Sequence, residues 1–169
     1  MISLQEVTTE NFQRFRDDIL AVERVSFPSP WSLKAFEEEA KRSISNLWVL
    51  LEDGELGGYI CLWIFGGEVH LMNIAVHPDK RRRGFGGCLL NKMIEVGLSQ
   101  GITRAWLEVR PSNVIARAFY KKVGFSEIGR RPHYYKETNE DAIIMTLSLM
   151  PEDVGSWEAD DDIRVRQVA

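Results

Sequence analysis

The 169-residue sequence predicts an α/β fold, a single domain built on one mixed, mostly antiparallel sheet flanked by helices on both faces. Three observations carry this. Residues 46–76 read as three consecutive strands parted by the hairpin signals Asp53-Gly54 and Gly66-Gly67. Residues 69–123 then alternate strand and helix twice, and residues 125–149 return to two strands. A chain of this length buries one real core, and its 44% hydrophobic and 27% charged content is ordinary for a soluble globular protein.

Taken in order, Met1 to Val7 is a short strand. Thr8 or Thr9 is suited to cap the next helix, and Glu10 suits its first turn. Phe12, Phe15, Ile19, Val22 and Phe27 follow helical spacing. Phe27-Pro28-Ser29-Pro30-Trp31-Ser32 breaks the helix, because each proline forces the residue before it into extended backbone. Ser29 or Ser32 opens a second helix with Leu33, Phe36 and Ala40 on one side, and Trp31 is either a binding surface or a lid over the core. Between Asn46 and Glu52, Leu47, Val49 and Leu51 alternate with Trp48 and Leu50, so both strand faces are apolar. After a glycine-rich turn, Phe85, Leu89 and Met93 lie beside Leu90, Ile94 and Leu98 on adjoining helical stripes, ended at Gln100-Gly101. From Thr103 to Arg110, Ala105, Leu107 and Val109 face one way, and Trp106, Glu108 and Arg110 the other. Ser112 or Asn113 caps a helix that Gly124 closes, and strands 125–135 and 141–149 complete the sheet.

Charge is unevenly spread. Residues 151–169 hold six acids and two bases, which is the whole net charge of −4; the rest of the chain has 19 of each. A neutral body excludes the broad basic face of a general nucleic-acid binder. No apolar run is long enough to span a membrane. Cys61 and Cys88 lack metal-ligand spacing and read as buried reduced thiols of a cytoplasmic protein. His70, His77 and His133 form no ligand set, so no metal is expected.

The stretch with most chemical character is Lys80 to Leu90, Lys-Arg-Arg-Arg-Gly-Phe-Gly-Gly-Cys-Leu-Leu, set between a strand and a helix. Glycines let backbone N–H groups close on an anion, the new helix aims its positive dipole end there, and the arginines neutralise charge. The stretch is neither a Walker loop, which ends in Gly-Lys-Ser/Thr, nor G-x-G-x-x-G, since Leu89 stands at the third glycine position. Polyphosphate binding and a plain basic turn are both compatible with it. Glu108 is either a surface residue of an edge strand or a carboxylate kept for use. Tyr120 is a core aromatic with its hydroxyl at the rim, or a functional phenol, and Asn113 is at least a helix cap. No Ser or Cys occupies a nucleophile elbow, which favours direct transfer over a covalent enzyme intermediate.

Arg81-x-x-Gly84-x-Gly86 after a strand, with Asn113 and Tyr120 downstream, resembles the acyl-CoA loop of the GNAT acetyltransferases. Asn73-Ile74-Ala75-Val76, Trp106-Leu107-Glu108-Val109-Arg110, Tyr120 to Phe125, and Tyr134-Tyr135 through Met145 are similar to the RimI-type branch, which acetylates a ribosomal protein N-terminus. The resemblance covers residues 1–149 as a GNAT-like domain and leaves 150–169 as an acidic C-terminal tail. It implies acetyl-CoA as co-substrate, no metal, and transfer to the N-terminal α-amine, alanine first, of a small-subunit ribosomal protein in the cytoplasm. Ile74, Ala75 and Val76 would serve the pantetheine arm and acetyl carbonyl; Arg82, Arg83, Gly84, Phe85, Gly86 and Gly87 would hold the pyrophosphate. Asn113 would contact the cofactor, with Glu108 as general base and Tyr120 as general acid. Trp31, Tyr134 and Tyr135 would meet the peptide. The implied partner is that peptide rather than nucleic acid or membrane, on a monomer or weak dimer. A lysine or small-amine acetyltransferase and a non-catalytic acyl-CoA sensor are the alternatives.

Overall fold

The computed structural model describes residues 1–150 and 153. Apart from Met150 and Asp153, the acidic tail lies outside the described residues. Strands β1 (Ile2–Val7), β2 (Ser45–Glu52), β3 (Glu55–Phe65), β4 (Glu68–Val76), β5 (Arg104–Val109), β6 (Ser126–Tyr135) and β7 (Glu140–Ser148) form one sheet. Their order is β1-β2-β3-β4-β5-β7-β6. Every pairing is antiparallel except β4 with β5, so the mixed, mostly antiparallel sheet expected from sequence is the one found. Helices α1 (Phe12–Ser26) and α2 (Leu33–Lys41) precede β2, while α3 (Phe85–Ser99) and α4 (Val114–Val123) flank β5 in sequence.

The two-sided apolar pattern of β2 explains the layering. Leu47, Val49 and Leu51 join Tyr59 and Cys61 in a core with Phe15, Ile19 and Phe36 of α1 and α2. Leu50 points the other way, with Ile60 and Ile74, onto Leu89, Leu90 and Met93 of α3. Each fully buried side chain of this size contributes about 1.5–3 kcal/mol. Helices on both sides are what such strands require.

Local chemistry sets most boundaries, with two corrections. Neither Thr8 nor Thr9 caps α1, and Glu10 is not in its first turn. Asn11 Oδ1 instead accepts the Thr8 N–H at 2.8 Å, making a side-chain turn that delays the helix to Phe12. Cys88 is half-buried rather than buried; neither cysteine is in a disulfide. Phe27 is pushed to φ −130° ahead of Pro28 and ends α1. Of the two candidate serines, Ser32 is the cap, its Oγ accepting the Ala35 N–H at 3.1 Å. Asn113 Oδ1 caps α4 through the Ala116 N–H at 3.2 Å, and Gly124 closes it at φ +119°.

The sheet forks in the middle. β4 pairs with β5 only from Glu68 to His70, opposite Arg104 to Trp106. Cys61 and Leu62 of β3 face Asn73 and Leu71 of β4, so Met72 is an extra residue, a β-bulge that bends the strand. Beyond it β4 stays with β3, ending at Val76 opposite Gly58, while β5 stays with β7, ending at Val109 opposite Ile143.

Gly57 and Gly58 keep the first half of this fork tight. Gly57 is the bulged residue of β3, and a Cβ there would lie 2.8 Å from the Phe85 ring. A Cβ on Gly58 would lie 2.7 Å from the Ala75 carbonyl oxygen, which is backbone and has little room to yield. Gly58→Ala should therefore cost about 1–3 kcal/mol, read as a lower urea unfolding midpoint. An unchanged midpoint would show that β4 shifts freely.

Candidate active site

Where β4 and β5 part, a cavity of about 590 Å³ opens. Ile74 of β4, Glu108 of β5, Asn113 and Tyr120 of α4, Trp31 of the α1–α2 turn and Tyr135 of β6 all line it. These residues span more than a hundred positions of sequence and meet because the bulge at Met72 separates two strands that start side by side.

Glu108 is not on an edge strand. β5 lies between β4 and β7, and the Glu108 side chain is 26% exposed. Its Oε2 accepts the Tyr134 hydroxyl at 3.2 Å, and its Oε1 lies 3.3 Å from Arg131 Nε. These two donors come from β6 and fix the carboxylate's orientation at the cavity rim. Burial, then the negative charge of Glu108, raises the Tyr134 pKa, so that phenol stays a donor. Tyr134 itself is exposed and reaches the site through Glu108, whereas Tyr135 lines the cavity directly. Arg110 stacks over the Tyr135 ring at 4.5 Å and lies 3.6 Å from Glu137.

Tyr120 is 4% exposed, with its ring between Phe119 and Phe125, centroids 5.4 and 5.9 Å away. Burial, helped by Tyr135, pushes its pKa well above the ordinary 10.0. Asn113 is held in place by its cap bond and by the preceding turn, where Glu140 accepts the Ser112 N–H at 3.1 Å and its hydroxyl at 2.8 Å. Trp31 lines the cavity, and its ring packs on Phe36 at 5.3 Å.

The glycine loop lies beyond the end of β4, and none of residues 82–87 lines the cavity. Arg82 and Gly84 both have positive φ, +63° and +82°, and Gly84 precedes the first turn of α3. Cys88 N–H donates to Gly84 O at 3.1 Å, whereas the amides of Phe85, Gly86 and Gly87 have no acceptor among the described residues. Arg83 and Lys80 are both ion-paired with Glu52. Arg81 turns back, its Nε donating to Val76 O at 2.9 Å and its Nη2 to Ser26 Oγ at 3.2 Å. Arg82 has no side-chain partner among the described residues. Phe85 is core, 2% exposed, so its side chain is turned away from the surface of the loop.

The Acetyltransferase (GNAT) family model matches residues 16–125, most of the chain, from within α1 to just past α4. The chain belongs to the GNAT acetyltransferase family. Members use acetyl-CoA as acetyl donor, and the open amides at the start of α3 suit its pyrophosphate. This GNAT acetyltransferase is 37% identical over 130 residues to the [ribosomal protein bS18]-alanine N-acetyltransferase of Escherichia coli K12, covering 76% of the chain and 87% of the relative. It is similar to the crystal structure of the ribosomal-protein-S18-alanine N-acetyltransferase from Escherichia coli, with a TM-score of 0.79, 30% identity, and 94% and 100% of the two chains covered. Ard1 from Thermoplasma volcanium shares the fold at a TM-score of 0.79 and 21% identity, over 88% of this chain and 98% of that one. No helix of the described residues is long and apolar enough to cross a membrane.

Several residues of the site were not singled out from sequence. Glu23, buried on the apolar side of α1, lines the cavity. Its signal was a carboxylate one turn after Ile19 on a core-facing stripe. Arg131, on an exposed strand, carried no signal. The adjacent Gly57-Gly58 inside a strand did, since glycines there mark a close backbone approach.

Proposed function

We propose that the chain transfers an acetyl group from acetyl-CoA directly to the N-terminal α-amine of a small-subunit ribosomal protein, alanine first. The observation that carries the chemistry is the convergence of Glu108 and Tyr120 on one cavity at the β4–β5 fork. The acceptor is supported by what the relatives are called. The domain of residues 1–149 carries this activity and 150–169 is a tail. Its neutral body fits a peptide rather than nucleic acid, in the cytoplasm, on a monomer or weak dimer.

Acetyl-CoA supplies the acetyl group already activated as a thioester. Arg82 and Arg83 with the amides of Gly84, Phe85, Gly86 and Gly87 would hold its pyrophosphate, with Arg82 the loop cation that has no side-chain partner among the described residues. Ile74, Ala75 and Val76 would offer the freed edge of β4 to the pantetheine arm and acetyl carbonyl, and Asn113 would touch the cofactor from the opposite wall. A protein α-amine has a pKa of about 7.7–8.0 and is largely protonated near neutral pH. Glu108 takes its proton, directly or through water. Tyr120, kept neutral by burial, gives its proton to the departing sulfur, whose thiol has a pKa of about 8.5. Trp31 and Tyr135 would wall the cavity that receives the peptide, and Tyr134 would meet it at the rim beside Glu108.

Intact-mass analysis tests this reading. Incubated with acetyl-CoA, peptides with a free N-terminal alanine and blocked lysines should gain one acetyl group on the α-amine; peptides with a blocked N-terminus and free lysines should gain none. Reaction of the lysine-bearing peptides alone would replace this acceptor by a lysine side chain.

A further inference from the structure

We propose that Glu23 is a positioning residue for the acceptor, clamping the α1–α2 turn against the sheet and thereby setting how tightly the peptide binds. Glu23 is 1% exposed. Its Oε1 accepts the Trp31 backbone N–H at 2.9 Å. Its Oε2 accepts Asn73 Nδ2 at 2.8 Å and the Tyr59 hydroxyl. One carboxylate thus joins the turn, β4 and β3.

Packing alone does not account for this arrangement. A carboxylate in a core is costly unless its oxygens are filled, and apolar residues of the same volume generally serve stability as well or better. The clamp also sits where function needs it. Phe27, Pro28, Ser29 and Trp31 of the clamped turn, together with Glu23 and Asn73, line the cavity. Glu39, the other buried carboxylate among the described residues, makes the contrast. It accepts Trp63 Nε1 at 2.7 Å and pairs with Arg42, and it touches no part of the cavity. A second tether works beside Glu23: Arg81 links Ser26, at the end of α1, to Val76, at the end of β4. The wall that meets the peptide is in this way held to the strand that meets the donor.

Glu23→Gln keeps the shape but leaves one acceptor oxygen for donors that approach both. The remaining oxygen stays with the two donors from Asn73 and Tyr59, which leaves the Trp31 amide facing the NH₂ group. This proposal rests on the acyl-transfer reading above only for the choice of peptide. In the full chain, Glu23→Gln should raise the peptide KM about tenfold, leave kcat at saturating peptide within about twofold, and leave the acetyl-CoA KM and the pH profile of kcat unchanged. Hydrogen exchange across residues 27–32 should quicken about tenfold while β3 and β4 keep their protection. Tyr59→Phe removes one donor and keeps the carboxylate; it should raise the peptide KM less, in the same direction, and it decides the question should Glu23→Gln fail to fold. Unchanged exchange in the turn, or an unchanged peptide KM, overturns the proposal. So does a joint loss of kcat, acetyl-CoA binding and melting temperature, which marks Glu23 as general scaffolding. If wild-type protein acetylates only lysines, the acceptor reading fails, and the same KM split on that acceptor, with the exchange data, still judges Glu23.

Discussion

Glu108→Gln should lower kcat by about 10²–10⁴-fold, the range for losing a positioned general base, and leave acetyl-CoA affinity unchanged. The substitution spares both the packing and the position of the side chain. Gln keeps the volume of Glu and can still accept the Tyr134 hydroxyl, which holds the side chain at the cavity rim. The lost ion pair is to Arg131, itself 55% exposed, so the cost in stability is at most about 1 kcal/mol. The loop proposed to hold the pyrophosphate, residues 82–87, does not line the cavity that Glu108 lines. Steady-state kinetics with a direct acetyl-CoA binding measurement separates the two effects. Equal turnover by mutant and wild type across about pH 6–9 would remove Glu108 as the base.

Tyr120→Phe should be nearly as damaging at neutral pH, lowering kcat about 10²-fold or more, with the fold intact. The ring is what packs between Phe119 and Phe125, and phenylalanine preserves it. Burial raises the Tyr120 pKa above 10.0, so the wild-type residue is protonated at every pH up to that value. On its account, wild-type kcat has no alkaline limb below it. The mutant's deficit should narrow above about pH 8.5, where a coenzyme thiolate departs without needing a proton. An undiminished kcat in Tyr120→Phe would take the acid's role from this residue; a wild-type alkaline limb near pH 9 that the mutant lacks would keep that role and overturn the raised pKa.

Much of this was legible in the sequence because it is local. The alternation in β2 announced helices on both faces; Pro28, Pro30 and Ser32 marked the gap between α1 and α2; Asn113 and Gly124 bracketed α4. The glycine loop was equally plain, since its cradle is built of successive amides and glycine torsions. The miss at Thr8 and Thr9 came from a competing local bond, the Asn11 side chain to the Thr8 N–H, that spacing alone does not rank.

What depended on partners distant in sequence was not legible in the same way. Glu108 read equally well as an edge-strand residue until strand order placed β5 between β4 and β7. Glu23 read as one more position on a helix until Tyr59, Asn73 and the Trp31 amide closed on it.

By itself the sequence determined the identity and faces of nearly every element, the anion-suited loop and the residue types available for acid–base work. These follow from side-chain period, turn chemistry and backbone torsion, which act over a few residues. Only the tertiary structure decided that Glu108, Tyr120, Asn113 and Trp31 share one cavity, and that Glu23 and Arg81 tie α1 and the turn after it to β4. The reason is the short pairing of β4 with β5 and the extra residue at Met72: the fork they make is a property of strand register, and it brings together groups that local rules treat separately.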